Sequence, residues 1–446
     1  MSKSKIIKGT FILTITGLTT KLLGFINRIY LTRIIGIKEL GIYQMIFPLY
    51  ILCISICTQG ISTIISKQIS FYNGKKQYEN ATKCFAISTI FSIFLSIFTY
   101  IFIFILSKPI SIYVLKVTKC QKLITTICIS LPFISIKACI NSYLVANNKP
   151  LYSGLSQLIE QISRILIIYF LSFNSYHNTL DSSLAVTGVL CGEIIATIFS
   201  IFIYLYYVIF KNKFTSYEKK ANNKYNLSFT YLSKNIVHDF IPLTTNNLSL
   251  TLFSAAETMF LPSMLNMFYK DSSLSIKLFG TISGIVIPFL LFPATIISSL
   301  STILLPSLSY EYAKGNTEKI YKLFNKIVYF SCFLGVVAWF TYLLFGKSIC
   351  FFTFKSITAG ALLSKMSFIC PLIYLSYILT TIENSINKIS NAMLFNLISI
   401  FIRIFVLIFL VPKLGLNAYI LGMAFAYFTL CISLYISINN SLYKKY

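Results

Sequence analysis

The chain reads as an all-α polytopic membrane protein, with about twelve transmembrane helices in two pseudo-symmetric six-helix lobes around a central cavity. Three observations predict this. Of its 446 residues, 56% are hydrophobic and only 11% charged, and its mean hydropathy is +0.78, a balance that water-soluble domains of this length do not keep. Apolar runs long enough to cross about 30 Å of hydrocarbon recur along the whole chain. The second half also echoes the first. At one common offset Pro132, Lys149 and Arg164 fall on Pro371, Lys388 and Arg403, and the apolar flanks of the two arginines align with them. Six helices per half give both halves the same orientation, related by an axis along the membrane normal.

Taken in order, spans are expected at 9–35, 41–69, 81–106, 121–146, 151–173, 183–210, 236–266, 277–308, 323–345, 361–385, 390–411 and 416–438. Lys3, Lys5 and Lys8 precede an apolar stretch too long for the core of a cleavable signal. The longest polar segment, 211–235, carries Lys211, Lys213, Lys219, Lys220, Lys224 and Lys234. It divides the chain into an N-terminal lobe (1–210), a basic cytoplasmic linker (211–235) and a C-terminal lobe (236–446). Spans seven and eight hold Pro242, Pro262, Pro288, Pro293 and Pro306, each of which removes a helical hydrogen bond and bends its helix. No extramembrane segment has room for a separate enzyme domain.

More of the 38 Lys and Arg residues fall in loops on the N-terminal side than on the other. That places both termini in the cytoplasm, although Lys108, Lys116, Lys119 and Lys122 cluster on the opposite side. The formal charge of +26 is dispersed between apolar spans rather than gathered on a soluble face, which argues against nucleic-acid binding. The eleven Cys have no zinc-like spacing, and the two His, His177 and His238, lie in different segments, so neither metal nor cofactor is expected. No phosphate-binding glycine loop is present, which excludes ATP as the energy source. The remaining driving forces are an ion gradient (Na⁺ or H⁺), the membrane potential, or consumption of the product.

The residues that carry chemistry are charges inside spans. A basic side chain at the centre of a spanning helix costs about 2.5–3.5 kcal/mol on insertion scales, so it is normally hidden from lipid. Lys21 and Arg28 in the first span are seven residues apart, close to two full turns, and share one face. Arg33 lies round the helix near its end, where it can snorkel. Glu160 and Arg164 stand at i, i+4 in the order that favours an intrahelical pair. Arg403 lacks that partner, because Ser399 stands where Glu160 would; it is expected to pair with Glu383 or Glu193, or to snorkel. Glu257 sits mid-span after Ala255 and Ala256, placed to carry a coupling proton or cation or to pair with a base of the first span. Lys137 is a further cation within a span.

Several of these stretches also resemble a known family. Gly24-Phe25-Ile26-Asn27-Arg28-Ile29, then Arg33-Ile34-Ile35-Gly36, Gly41-Ile42-Tyr43 and Pro48, are similar to the opening of the stage V sporulation protein B family, and so is Gly60-Ile61-Ser62-Thr63-Ile64-Ile65-Ser66-Lys67. This family belongs to the polysaccharide-transporter branch of the multidrug/oligosaccharidyl-lipid/polysaccharide (MOP) flippase superfamily, which includes the lipid II flippase of peptidoglycan synthesis. The resemblance implies a V-shaped cavity between two lobes, alternating access, and an undecaprenyl-pyrophosphate-linked saccharide as substrate. For the sporulation branch it implies spore cortex peptidoglycan as the destination. It also implies that basic residues of the first helix line the cavity, which carries over to Arg28 and Lys21. With Arg33, Arg164 and Arg403 these make up the expected substrate-binding set, and Glu257 is the expected ion-coupling residue. Membrane lipids and cell-wall synthesis proteins are the implied partners. Relatives can carry two further C-terminal helices that form a groove for the lipid tail, and this chain is shorter.

A flippase for lipid-linked peptidoglycan precursor therefore competes with three other readings. One is a flippase for another lipid-linked polysaccharide unit. The second is a cation-coupled drug antiporter on the same fold, which would favour an acidic and aromatic cavity where this chain offers a basic first helix. The last is a membrane enzyme or a scaffold without transport. A glycan polymerase would need an acidic site at the outer face, where only Asp181 and Asp271 are expected.

Overall fold

The structure is a computed structural model that describes residues 3–75, 77–147, 149–174, 181–215, 228–298, 300–301, 308, 317–386 and 388–443. Every regular element among them is helical. Eleven stretches are long and apolar enough to cross a membrane. The first, Ile15–Asn73, has 59 residues, and at 1.5 Å per residue it reaches about 90 Å, far more than one crossing needs. It is broken once, at Gly36, whose φ of 76° and ψ of 168° leave the helical region. That conformation is open to glycine and strained for a residue with a Cβ. The polar break expected between the first two spans is thus one residue wide, and positions 37–40 remain helical.

We label the helices α1 (Lys3–Ile54), α2 (Gly60–Gly74), α3 (Tyr78–Pro109), α4 (Cys120–Cys128), α5 (Leu131–Ala146), α6 (Pro150–Asn174), α7 (Ser182–Thr215) and α8 (Phe229–Tyr269). They continue as α9 (Ser272–Thr281), α10 (Ile287–Leu291), α11 (Thr317–Phe354), α12 (Ile357–Met366), α13 (Cys370–Ser385), α14 (Ile389–Phe409), α15 (Val411–Leu414) and α16 (Leu416–Tyr443). Short π-helical turns at Ser55–Gln59, Ile110–Val114 and Ile282–Val286 join neighbouring segments. Most expected spans reappear with shifted ends. The seventh is one long helix, α8, whose apolar crossing is Leu248–Tyr269. The eighth is seen as Ser272–Leu291; Pro306 lies outside the described residues, as does 216–227, most of the expected linker.

Two compact units form. The first comprises Met1–Asn27 and Ile46–Ala255, the second Arg28–Met45 and Ala256–Tyr446. These boundaries differ from the expected 1–210 and 236–446 division at two stretches. The middle of α1 belongs to the second unit, and most of α8 belongs to the first.

In the first unit, α2 turns Ile61, Ile64, Ile65 and Ile69 inward at i, i+3, i+4 spacing, all with no exposed surface. They meet Phe85, Tyr143 and Leu144 from α3 and α5 in one apolar core. The second unit shows how a proline is accommodated in a membrane helix. Pro293 has no N–H to donate to the carbonyl four residues earlier. That carbonyl, of Phe289, accepts a hydrogen bond from the Tyr342 hydroxyl at 2.8 Å. The next carbonyl, of Leu290, accepts one from Tyr374 at 2.8 Å. Hydrocarbon offers no water for this task, so buried tyrosines supply the donors.

Also in the second unit, α1 and α9 approach backbone to backbone. A Cβ on Gly41 would lie 2.5 Å from the Ile276 carbonyl oxygen, and one on Gly280 would lie 2.6 Å from that of Ile37. A leucine at Gly280 must push the helices apart, at a cost of about 1–3 kcal/mol. Gly280→Leu is therefore expected to lower the thermal midpoint of the detergent-purified protein by several degrees. Gly17→Ala, with nothing within 4 Å of the added carbon, is expected to leave it unchanged.

Candidate functional site

The buried charges of the first unit gather in one network. α5 brings Lys137, α6 brings Glu160 and Arg164, and α7 brings Glu193. Lys137 Nζ donates to Glu160 Oε2 at 2.7 Å and makes a short contact with Glu193 Oε2. Arg164 Nη2 donates to Glu160 Oε1 at 2.7 Å and lies 3.8 Å from Glu193 Oε1. Lys137 and Glu193 are 7% and 6% exposed, so their charges rely on one another rather than on solvent. Two cations against two carboxylates leave no net charge. Glycine permits this assembly: Gly192 packs on Glu160 and Arg164, where a Cβ would meet the Glu160 carbonyl oxygen at 3.1 Å. That close approach of α7 to α6 carries the adjacent Glu193 into the cluster.

The intrahelical Glu160–Arg164 pair was legible in the sequence. The contributions of Lys137 and Glu193 were not, because they come from two other helices. Lys137 stands five residues after Pro132, where the second unit has Ser376 after Pro371.

In the second unit, Arg403 of α14 finds its counter-ion on α8. Its Nη1 lies 3.3 Å from Glu257 Oε2, and its guanidinium sits 5.6 Å from the ring centre of Tyr427. This corrects the expected partners. Glu383 instead accepts a hydrogen bond from Ser437 at 2.7 Å, and Glu193 is engaged by Lys137. It also corrects the alternative that Glu257 pairs with a base of the first span. The Glu257 pair is incompletely satisfied, with Glu257 Oε1 and Arg403 Nε buried without a hydrogen-bond partner.

The basic residues of α1 occupy different surroundings. Arg33 donates through Nε to the Thr353 carbonyl and through Nη2 to the Phe352 carbonyl, each at 2.7 Å. It thereby caps the C-terminal end of α11, where unpaired carbonyls and the helix dipole favour a cation. This matches snorkelling at a span end and occupies the guanidinium that had been assigned to substrate. Arg28 is half-buried, and no ion pair or side-chain hydrogen bond engages it among the described residues. Lys21 is exposed two turns earlier on the same helix.

The two acids expected at the outer face, Asp181 and Asp271, are spent on helix ends. Asp181 accepts from the Ser183 backbone N–H at 3.0 Å and pairs with Lys119 at 3.0 Å. Partial burial pushes its carboxyl up, but the bonds from Ser183 and Lys119 outweigh this and hold it below the usual carboxylate range. Asp271 caps α9 through the N–H groups of Ser273 and Leu274. Neither is poised as a proton donor for glycan chemistry.

A family described as "Polysaccharide biosynthesis protein" matches residues 6–309. Stage V sporulation protein B of Bacillus subtilis (strain 168) is 25% identical over 314 residues, 69% of this chain and 59% of that protein. Lipid II flippase MurJ of the same organism is 21% identical over 342 residues, 72% of this chain and 60% of that one. The chain thus spans about three fifths of the length of these curated relatives. Among solved structures, an inward-facing multidrug resistance MATE family transporter of the MOP superfamily superposes with a TM-score of 0.68 at 13% identity, covering 96% of this chain and 95% of that one. A MOP superfamily transporter from Pyrococcus furiosus superposes with a TM-score of 0.69 at 12% identity, covering 99% and 96%. The fold is that of the MOP transporters, and the protein is a multi-pass membrane protein.

Breaking the first-unit network leaves an uncompensated buried charge, which costs about 3–5 kcal/mol. Lys137→Met is expected to reduce sharply the yield of monodisperse protein. Adding Glu193→Gln should restore much of it, because the surplus negative charge is then gone. Size-exclusion profiles and melting curves of the single and double variants check this.

Proposed function

The chain belongs to the polysaccharide biosynthesis protein family, and on that premise we propose that it is a flippase. It moves an undecaprenyl-pyrophosphate-linked saccharide across the cytoplasmic membrane by alternating access, with both termini in the cytoplasm. Lipid II, destined for spore cortex peptidoglycan, is the substrate that the relatives named for sporulation and for lipid II flipping support. Cell-wall synthesis proteins are the proposed neighbours that supply and consume it. It transports and performs no covalent chemistry. The same fold serves multidrug transporters, but a lipophilic cation is a poor match for a first span that carries Lys21 and Arg28.

The observation that carries the proposal is Arg28. It sits in an apolar helix, half-buried, with no counter-ion among the described residues. Arg164 and Arg403 have carboxylates and Arg33 has carbonyls, so Arg28 is the arginine left for an anion that arrives from elsewhere. A guanidinium can grip two oxygens of a pyrophosphate at once, whereas an ammonium acts as a point charge. Arg28→Ala is expected to abolish binding of lipid II to purified protein nearly completely. Arg28→Lys should rescue part of it, and Lys21→Ala should be milder. Wild-type binding by Arg28→Ala would remove the residue from the site.

Glu257 is the proposed ion-coupling residue. One of its oxygens faces Arg403, and the other is buried without a hydrogen bond, an acceptor suited to a proton or Na⁺. Glu257→Gln should abolish the dependence of flipping on an imposed Na⁺ or proton gradient while the protein remains inserted. Gradient-dependent flipping by this variant in reconstituted vesicles would exclude the role.

A further inference from the structure

The first unit holds a second polar feature that the anion-binding residues do not use. Two adjoining cavities of about 390 Å³ and 600 Å³ share Ser62, Ser66 and Ser142. Their walls come from α2, α5 and α6. The inner one is lined by Ser62, Ser66, Lys137, Asn141, Ser142 and Gln157, among others, with only Ala138 and Val145 apolar and no aromatic residue. Together the volumes match those of ordinary small-molecule sites.

The helix that builds this wall is two-faced. α2 buries its isoleucines and turns Ser62, Thr63, Ser66 and Ser70 to the cavity. Lipid cannot reward a face of hydroxyls, so a membrane helix presents one only to water or to a polar ligand. The position along the membrane is also defined. Asn73 at the end of α2 donates to Asn147, just past α5, at 3.2 Å, so these two helices end at one level. Lys137 lies ten residues earlier, about 15 Å along the helix and near mid-membrane. The cavity runs between those depths, at the end of the unit expected to face the cytoplasm.

Its electrostatics exclude a charged occupant at the floor. Lys137 is already bound by Glu160 and Glu193, and Arg164 completes a neutral set. What remains at the floor is a set of neutral hydrogen-bonding groups, Ser62, Ser66, Asn141, Ser142 and Gln157; Ser142 also donates to the Ala138 carbonyl, and Lys67 adds one cation to the outer cavity. Asn141 Oδ1 itself is buried away from the cavity surface without a partner, so a donor reaches it only when the side chain turns. A ligand portion rich in hydroxyl and amide N–H groups, uncharged where it meets the floor and non-aromatic, answers these features. We propose that this cavity is a saccharide-recognition subsite, which takes the sugar hydroxyls and N-acetyl groups of a lipid-linked substrate on the loading side of the membrane. This rests on the flippase reading and adds to it a place where sugar, rather than pyrophosphate, is read.

The test compares two probes on the purified full chain in nanodiscs: undecaprenyl pyrophosphate, which has no sugar, and lipid II, which adds the sugars and their peptide to the same anchor. Ser66→Leu and Asn141→Leu fill the cavity; Ser66→Ala and Asn141→Ala remove its hydrogen-bonding groups with less disturbance. Loss of two or three neutral hydrogen bonds is expected to weaken lipid II binding about tenfold, with undecaprenyl pyrophosphate binding unchanged. Equal losses for both probes, or none for either, would overturn the subsite, leave the cavity as a water path, and leave the flippase reading standing. Wild-type protein that binds neither probe would overturn both. If the leucine variants fail to fold, Ser66→Cys gives the answer through labelling by a soluble maleimide, corrected for wild-type background. Lipid II should slow the labelling and undecaprenyl pyrophosphate should not; protection by neither, or equally by both, rejects the subsite.

Discussion

Hydrocarbon cannot solvate a charge, and much of this structure follows from that constraint. An uncompensated ion at mid-membrane costs several kcal/mol, so the chain either pairs its buried ions or turns them toward something polar. The first unit pairs them in a closed set of two cations and two carboxylates on α5, α6 and α7. Close packing at Gly192 and the short links of Lys137 to both acids are two parts of one solution. The same constraint governs backbone groups. The carbonyl that Pro293 cannot serve is answered by the Phe292 N–H at 3.2 Å and by the Tyr342 hydroxyl.

The internal repeat shows that a charge can persist while its partner changes. Arg164 and Arg403 occupy matching positions. Arg164 takes its carboxylate from its own helix, one turn earlier. In the second unit that position is Ser399, whose hydroxyl donates to the Ala426 carbonyl at 3.0 Å, and Arg403 takes Glu257 from α8. Neutralisation is achieved in both, but only the first pair can be read from spacing alone. The second requires knowing which helices meet.

This sets the boundary of what the residues reveal on their own. Span number, the order of the helices and the Glu160–Arg164 pair are legible because apolar length and i, i+4 spacing are local properties. The break at Gly36 was less so, since a polar segment at 36–40 looks like a loop until one glycine with positive φ proves sufficient. Lys137 with Glu193, Arg33 with the end of α11, and Arg403 with Glu257 join residues far apart in the chain. Nothing in a single sequence ranks such partners. The nearest available signals were the glycines of α7, which mark where two helices approach closely, and the proximity of Arg33 to a span end. The serine face of α2 was not read from the sequence, because its meaning depends on α5 and α6 walling the other sides.

Compensation also indicates where function resides. A charge-balanced ion cluster has little capacity left for a further ion, because any new charge must displace an existing partner and bear the desolvation that follows. By that criterion the network of Lys137, Glu160, Arg164 and Glu193 holds helices together. The groups with spare capacity include others: Arg28, which has no counter-ion among the described residues, Glu257 with one buried oxygen unbonded, and Asn141 with its carbonyl oxygen unbonded. They differ in chemistry as a lipid-linked saccharide differs along its length. A guanidinium suits a pyrophosphate, a neutral amide among serines suits sugar hydroxyls, and a half-satisfied carboxylate suits a small cation. Such unsatisfied groups lower stability, and charged ones among them are where a membrane protein has most to gain from what it carries.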